Sequence, residues 1–162
     1  GPRHLAFHPS RPFAYLVNEL SISLSVYAFD EASGVLTPVQ EAVRTAPLGV
    51  SEGSGADVHV HPKGRFGYVS NRQHEHSSIA ILGVDQLSGR VSVLGHEPTR
   101  GKTPRNFAVT PSGRHLLVAN QNSDRITILA RDAGTGRLTD TGEHIAVGTP
   151  MCVRVAEFGR PA

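Results

Sequence analysis

The chain has 162 residues, a formal net charge of +2, 38% hydrophobic and 19% charged residues, and a single cysteine. That balance excludes a disordered chain, and a charge so near zero gives no electrostatic footprint for nucleic acid. No run reaches the roughly 18 consecutive apolar residues of a membrane span, and the lone Cys152 excludes an internal disulfide framework and fits a reducing cytoplasm.

In chain order, short strands are predicted at 5–8, 13–18, 22–29 and 36–43. In 22–29, Ile22, Leu24, Val26 and Ala28 alternate onto one face. The second set falls at 58–61, 66–71, 78–84 and 91–96, and the third at 107–110, 115–120, 125–130 and 138–145. Runs of Val, Ile and Leu bounded by Gly, Pro, Asn and Asp favour strands, and no apolar stripe of helical period appears.

One phrase recurs at the same place in each set. His8-Pro9 through Tyr15-Leu16-Val17-Asn18 returns as His61-Pro62 through Tyr68-Val69-Ser70-Asn71, and again as Thr110-Pro111 through Leu117-Val118-Ala119-Asn120. The prolines are 53 and then 49 residues apart. The turns between third and fourth strands also match, from Asp30 to Gly34, Asp85 to Gly89 and Asp132 to Gly136. Four strands per repeat of this length is the signature of β-propeller blades.

The fold class is therefore all-β. It is a β-propeller of four-stranded antiparallel blades at about 1–47, 54–98 and 103–147. Val147-Gly148-Thr149-Pro150-Met151-Cys152-Val153 repeats the entry to the third blade, so a closing strand is expected at 149–157. Three blades fall short of the roughly 4–8 that close a ring. The chain is thus expected to be the C-terminal part of a longer propeller. Its open blade edges should associate, either with N-terminal blades or with another copy.

The phrases at 1–9 (Gly-Pro-Arg-His-Leu-Ala-Phe-His-Pro), 15–20, 68–72, 101–107, 118–124 and 148–153 resemble the lactonase, seven-bladed β-propeller family. That family's best-known bacterial activity is 6-phosphogluconolactonase, and it includes a muconate-cyclising branch. The resemblance implies a small anionic sugar-lactone substrate, no cofactor, no nucleic acid or membrane partner, and a cytoplasmic enzyme of carbohydrate metabolism. In the muconate branch an Arg at a blade entry, a Glu after a strand and an Arg in the next blade are site residues. The matching positions here are Arg3, Glu19 and Arg72; that branch's His in an earlier blade has no counterpart in this chain.

The innermost strands of a propeller line its channel, so blade entries and the exits of second strands are site candidates. His4 joins Arg3 at the first entry, Asp57 and His59 lie at the second, and Arg105 at the third. After the strand-end asparagines the next residue is Glu19, Arg72 or Gln121, a divergence that suggests specialised roles. Arg3, Arg72 and Arg105 can clamp anionic oxygens and steady a tetrahedral oxyanion. Glu19 or His4 can activate water. Asp57, His59, Asn120 and Gln121 complete the expected substrate wall. The competing expectation for Asn18, Asn71 and Asn120 is that they satisfy turn backbone groups.

No metal site is expected. His59 and His61 alternate onto one strand face and His74-Glu75-His76 lies in a polar loop, but neither offers zinc-like spacing. Cys152 reads as a small buried residue. No Gly-x-Ser-x-Gly elbow supports a serine hydrolase. The leading expectation is hydrolysis of 6-phosphogluconolactone by a longer propeller. The rivals are a muconate isomerase and a non-enzymatic binding platform.

Overall fold

The computed structural model describes residues 1–73 and 77–156. Three antiparallel meanders account for all the strands among them. The first holds β1 (Pro2–Phe7), β2 (Phe13–Asn18), β3 (Ser23–Phe29) and β4 (Leu36–Arg44) in the order β1-β2-β3-β4. The second holds β5 (Ser54–Val60), β6 (Phe66–Arg72), β7 (Ser78–Val84) and β8 (Val91–Pro98), and the third β9 (Pro104–Val109), β10 (His115–Asn120), β11 (Arg125–Arg131) and β12 (Leu138–Ala146), each paired in chain order. These are propeller blades. They meet along their first strands, β1 against β5 and β5 against β9, which places β1, β5 and β9 innermost.

The core lies in the seams between blades. Alternate side chains of one strand serve opposite seams. In β7, Ala80, Leu82 and Val84 join Tyr15, Val17, Leu24 and Val26 of the first blade, whereas Ile79 and Ile81 join Phe107, Leu116, Val118 and Leu129 of the third. Both faces of β7 are covered, so it reads as a near-continuous apolar run rather than an alternating one. Fully burying one large aliphatic side chain is worth about 1.5–3 kcal/mol, so the seams, not the exposed fourth strands, carry most of the stability.

Polar ties cross the same seams in a repeating pattern. The Tyr15 hydroxyl donates to the Gly89 carbonyl (3.2 Å) and the Tyr68 hydroxyl to that of Gly136 (3.0 Å). Gly89 and Gly136 have φ of +71° and +72°, and a Cβ at either would fall onto the ring of Phe13 or Phe66. Left-handed backbone and close ring approach together require glycine there. His8 Nε2 donates to Gly64 O and His61 Nε2 to Gly113 O, both at 3.2 Å. Asn71 Nδ2 donates to Thr45 O (2.7 Å), and Asn120 Nδ2 to Thr99 O (3.0 Å).

Three expectations are corrected. Ile22 does not begin β3: it adopts φ of +48°, and its carbonyl accepts both the Thr45 N–H (3.0 Å) and the Thr45 hydroxyl (3.1 Å). Residues 149–156 form no strand, because a strand needs a ladder partner and none of the described strands pairs with them. Their one tie to the inner strands is the Val153 N–H donating to Asn106 Oδ1 (2.8 Å). Cys152 is exposed rather than buried, since this segment is not packed into a blade.

Candidate active site

The three blade entries share an irregularity. Pairing of β1 with β2 slips between Pro2 and Leu5, that of β5 with β6 between Gly55 and Val58, and that of β9 with β10 across Arg105. A bulge places two residues opposite one and re-aims their side chains. It lets neighbours Arg3 and His4 both reach the second blade instead of taking opposite faces. Arg3 Nη1 donates to the Ala56 carbonyl and His4 Nδ1 contacts Asp57 Oδ1 at 2.6 Å.

Glu19 follows β2 and is joined to two arginines. Its Oε1 accepts from Arg72 Nη2 of the second blade and stands 3.6 Å from Arg3 Nε. Arg72 Nη2 also donates to Gly55 O (3.3 Å). The hydrogen bond from Arg72 holds the Glu19 carboxyl below its ordinary range, aided by the fields of Arg72, Arg3 and Arg105. Burial and the neighbouring Arg72 lower the Arg3 guanidinium, with Arg105 acting in the same sense. It stays cationic, as arginine does in proteins. Two guanidiniums thus hold one carboxylate, with Arg105 within electrostatic range, and leave a cationic excess suited to an anion.

Beside this cluster lies an open cleft of about 450 Å³ lined by Arg3, His4, Asp57, His59, Asn106 and Arg154, among others. Asp57 is 4% exposed. Its Oδ2 accepts from His59 Nε2 (3.1 Å), Asn106 Nδ2 (2.5 Å) and the Phe107 N–H (3.2 Å). Burial alone would raise the Asp57 carboxyl; the bonds from His59, His4 and Phe107 outweigh it and hold it at about 2. The His59 ring packs edge-on against Phe107 at 4.8 Å.

The structure brings together Arg3, Glu19 and Arg72, with Arg105 within electrostatic range, and separately His4, Asp57 and His59. Two expected substrate contacts are corrected. Asn120 is fully buried, its amide tied to Thr99 O and Thr127 Oγ1 (both 3.0 Å), so no substrate reaches it. The Asp57 carboxylate is filled by protein donors and is no substrate contact itself. Gln121 opens a 3₁₀ turn, Gln121–Ser123, and its N–H donates to Thr103 O (3.0 Å). His59 and His61 turn to different partners, Asp57 and Gly113. Among the described residues no three metal-ligating side chains gather, and His74-Glu75-His76 lies outside them.

Asn106 was not anticipated. Its signal is positional, for His4, Asp57 and Asn106 occupy the same place in successive repeats (His-Leu-Ala-Phe, Asp-Val-His-Val, Asn-Phe-Ala-Val).

Known proteins share this arrangement of strands. The sequence model of the family described as Lactonase, 7-bladed beta-propeller matches residues 1–155. A 6-phosphogluconolactonase of Formosa agariphila is 38% identical over 154 residues, 91% of this chain and 41% of its own. That of Bacillus subtilis is 36% identical over 95% of this chain and 44% of its own. The solved periplasmic gluconolactonase PpgL of Pseudomonas aeruginosa superposes with a TM-score of 0.84 at 37% identity, covering 93% of this chain and 41% of that one. The chain thus spans less than half the length of these relatives.

Proposed function

The chain belongs to the lactonase, 7-bladed β-propeller family, and from that premise we propose that the whole protein hydrolyses a sugar-acid lactone, with 6-phosphogluconolactone as substrate and 6-phosphogluconate as product. The observation that carries this reading is the meeting of Arg3 and Arg72 of two adjacent blades at Glu19, with Arg105 of the third within electrostatic range. A phosphorylated or carboxylated lactone brings the negative charge that such a cluster lacks.

Arg3 and Arg72 hold the anion, and Arg3 also faces the developing oxyanion. Arg105 strengthens the cationic field. Glu19, already shared by two guanidiniums, orients them more than it moves a proton, because an acidified carboxylate is a weak base at neutral pH. The reading puts the protein in the cytoplasm, in the pentose phosphate pathway.

Alanine at Arg3, Glu19 or Arg72 in the full-length protein tests the site. The expected result is a loss of about 10²-fold or more in lactone turnover at each arginine, with the thermal midpoint kept. Unchanged turnover in all three variants overturns the site. Cyclisation of a muconate substrate in place of lactone hydrolysis overturns the reaction class.

A further inference from the structure

We propose that His4 is the general base of lactone opening and that Asp57 is the residue that positions it, a pairing that rests on the lactonase reading. Asp57 has one oxygen for each of two tasks. Oδ2 takes Asn106, Phe107 and His59, which fixes the carboxylate between the second and third blades. Oδ1 takes the Val58 N–H (3.0 Å) and His4 Nδ1 (2.6 Å). Stapling two blades needs only the first oxygen. The second is spent on a side chain of a different blade that is 42% exposed, so its ring is anchored on one edge and open to the cleft on the other.

The bond to Asp57 also sets the tautomer. With Nδ1–H donating to a carboxylate, Nε2 carries the lone pair. Nε2 then accepts a long hydrogen bond from Arg3 Nη1 (3.5 Å), at the outer limit for such a bond. The nitrogen that would take a proton from water therefore lies beside the cation that would face the oxyanion. Glu19 is the more tightly held, its Oε1 bonded to Arg72 Nη2 and 3.6 Å from Arg3 Nε. The other groups facing His4 are Asp57 and His59 from β5, neutral Asn106 from β9, and Arg154 from the segment after β12.

The step balances without any co-reactant. His4 Nε2 takes a proton from water as the water oxygen bonds to the lactone carbonyl carbon, and the carbonyl π pair moves onto oxygen beside Arg3. The intermediate collapses, the ring C–O bond breaks, and the imidazolium returns its proton to the departing ring oxygen. Lactone and water give the hydroxy acid.

The test uses His4→Gln, Asp57→Asn and the double variant in the full-length protein, with lactone turnover followed across pH. Each single change is expected to lower kcat by about 10²–10⁴-fold, with KM within about threefold, as for an interaction made only in the transition state. In His4→Gln the acid limb of the kcat profile should vanish, the double variant should be no slower than the slower single, and added imidazole should restore part of the His4→Gln rate. A merely structural Asp57 would instead leave the two losses multiplying in the double variant. If Asp57→Asn does not fold, His4→Gln and its rescue by imidazole decide alone. Wild-type turnover with an unaffected His4→Gln overturns the pairing and leaves the lactonase reading standing. Wild type that opens no lactone overturns that reading and the pairing with it.

Discussion

The Tyr68 hydroxyl crosses from the second blade to donate a 3.0 Å hydrogen bond to the Gly136 carbonyl, and Tyr68 itself is 0% exposed. Burial pushes the phenol up to about 12, against a smaller pull from Arg131, so it stays a donor throughout the physiological range. Tyr68→Phe keeps the ring and strands a carbonyl in the seam. It should cost about 1–3 kcal/mol, the penalty of an unsatisfied buried group. Tyr68→Ala should cost about 3–5 kcal/mol by opening a cavity as well. Denaturant titration of the full-length protein checks both, and a neutral Tyr68→Phe would show that the tie contributes nothing.

Acid should loosen the seams through His8 and His61. Each ring accepts a backbone N–H at Nδ1, from Ser10 (3.2 Å) and Lys63 (3.0 Å), and donates from Nε2 to the next blade. That is a neutral ring, and protonation would break the Nδ1 bond. Burial lowers both imidazoles first, and Arg11 beside His8 and Arg131 beside His61 act in the same direction, against the Gly64 and Gly113 carbonyls. The unfolded chain binds these protons near pH 6.5, its ordinary value, before the folded chain does. Stability is therefore expected to fall as pH drops below about 6.5. Asp57 adds a second loss of the same sign, starting near its unfolded value of about 4 and complete as pH passes its folded value of about 2. Denaturation midpoints at neutral and mildly acid pH check the first window. His8→Gln with His61→Gln should flatten it, and an undiminished slope in that variant would assign it elsewhere.

What the chain disclosed in advance follows from what repeats. The phrase around Tyr15, Tyr68 and Leu117 and the Asp–Gly turns recur because each blade solves the same packing problem, so strands and blades were legible residue by residue. Glu19 and Arg72 were legible as charged departures at a repeated position, and Arg3 as a blade-entry residue matched by the family resemblance. The row from His4 through Asp57 to Asn106 was not, because its hydrogen bonds run across blades and link residues 53 and 49 positions apart. The burial of Asn120 was hidden for the same reason, since its partner Thr99 ends the previous blade. Ile22 illustrates tertiary override: a β-branched residue takes a left-handed backbone because its carbonyl caps Thr45.

Arg72 should not tolerate lysine. Its Nη2 serves both Glu19 Oε1 and Gly55 O, which leaves the other guanidinium N–H groups, fixed in the same plane, to meet substrate; a compact ammonium on a flexible stem has no such preset second face. Arg72→Lys is expected to lose about tenfold or more in kcat/KM, on the scale of one charge-assisted contact, with folding intact. Steady-state kinetics on the lactone check it. Wild-type kcat/KM would mean that charge alone, not guanidinium geometry, matters there.

The two outer flanks of this three-blade unit expose apolar side chains. On the first blade Leu5 is 39% and Phe7 52% exposed, with the Phe7 ring tilted against that of Phe29 at 4.9 Å. Beyond the third, Val147 is 42%, Met151 58% and Val155 39% exposed. In a seven-bladed ring such faces lie against neighbouring blades, and contiguous apolar surface left open drives association. The 162-residue chain on its own is therefore expected to self-associate with rising concentration, and Leu5→Ser with Phe7→Ser should weaken that association. Sedimentation velocity over a concentration series checks it. A stable 17.3 kDa monomer with little binding of an apolar dye would show that these flanks are self-sufficient, and that the cohesion of the unit resides wholly in its two internal seams.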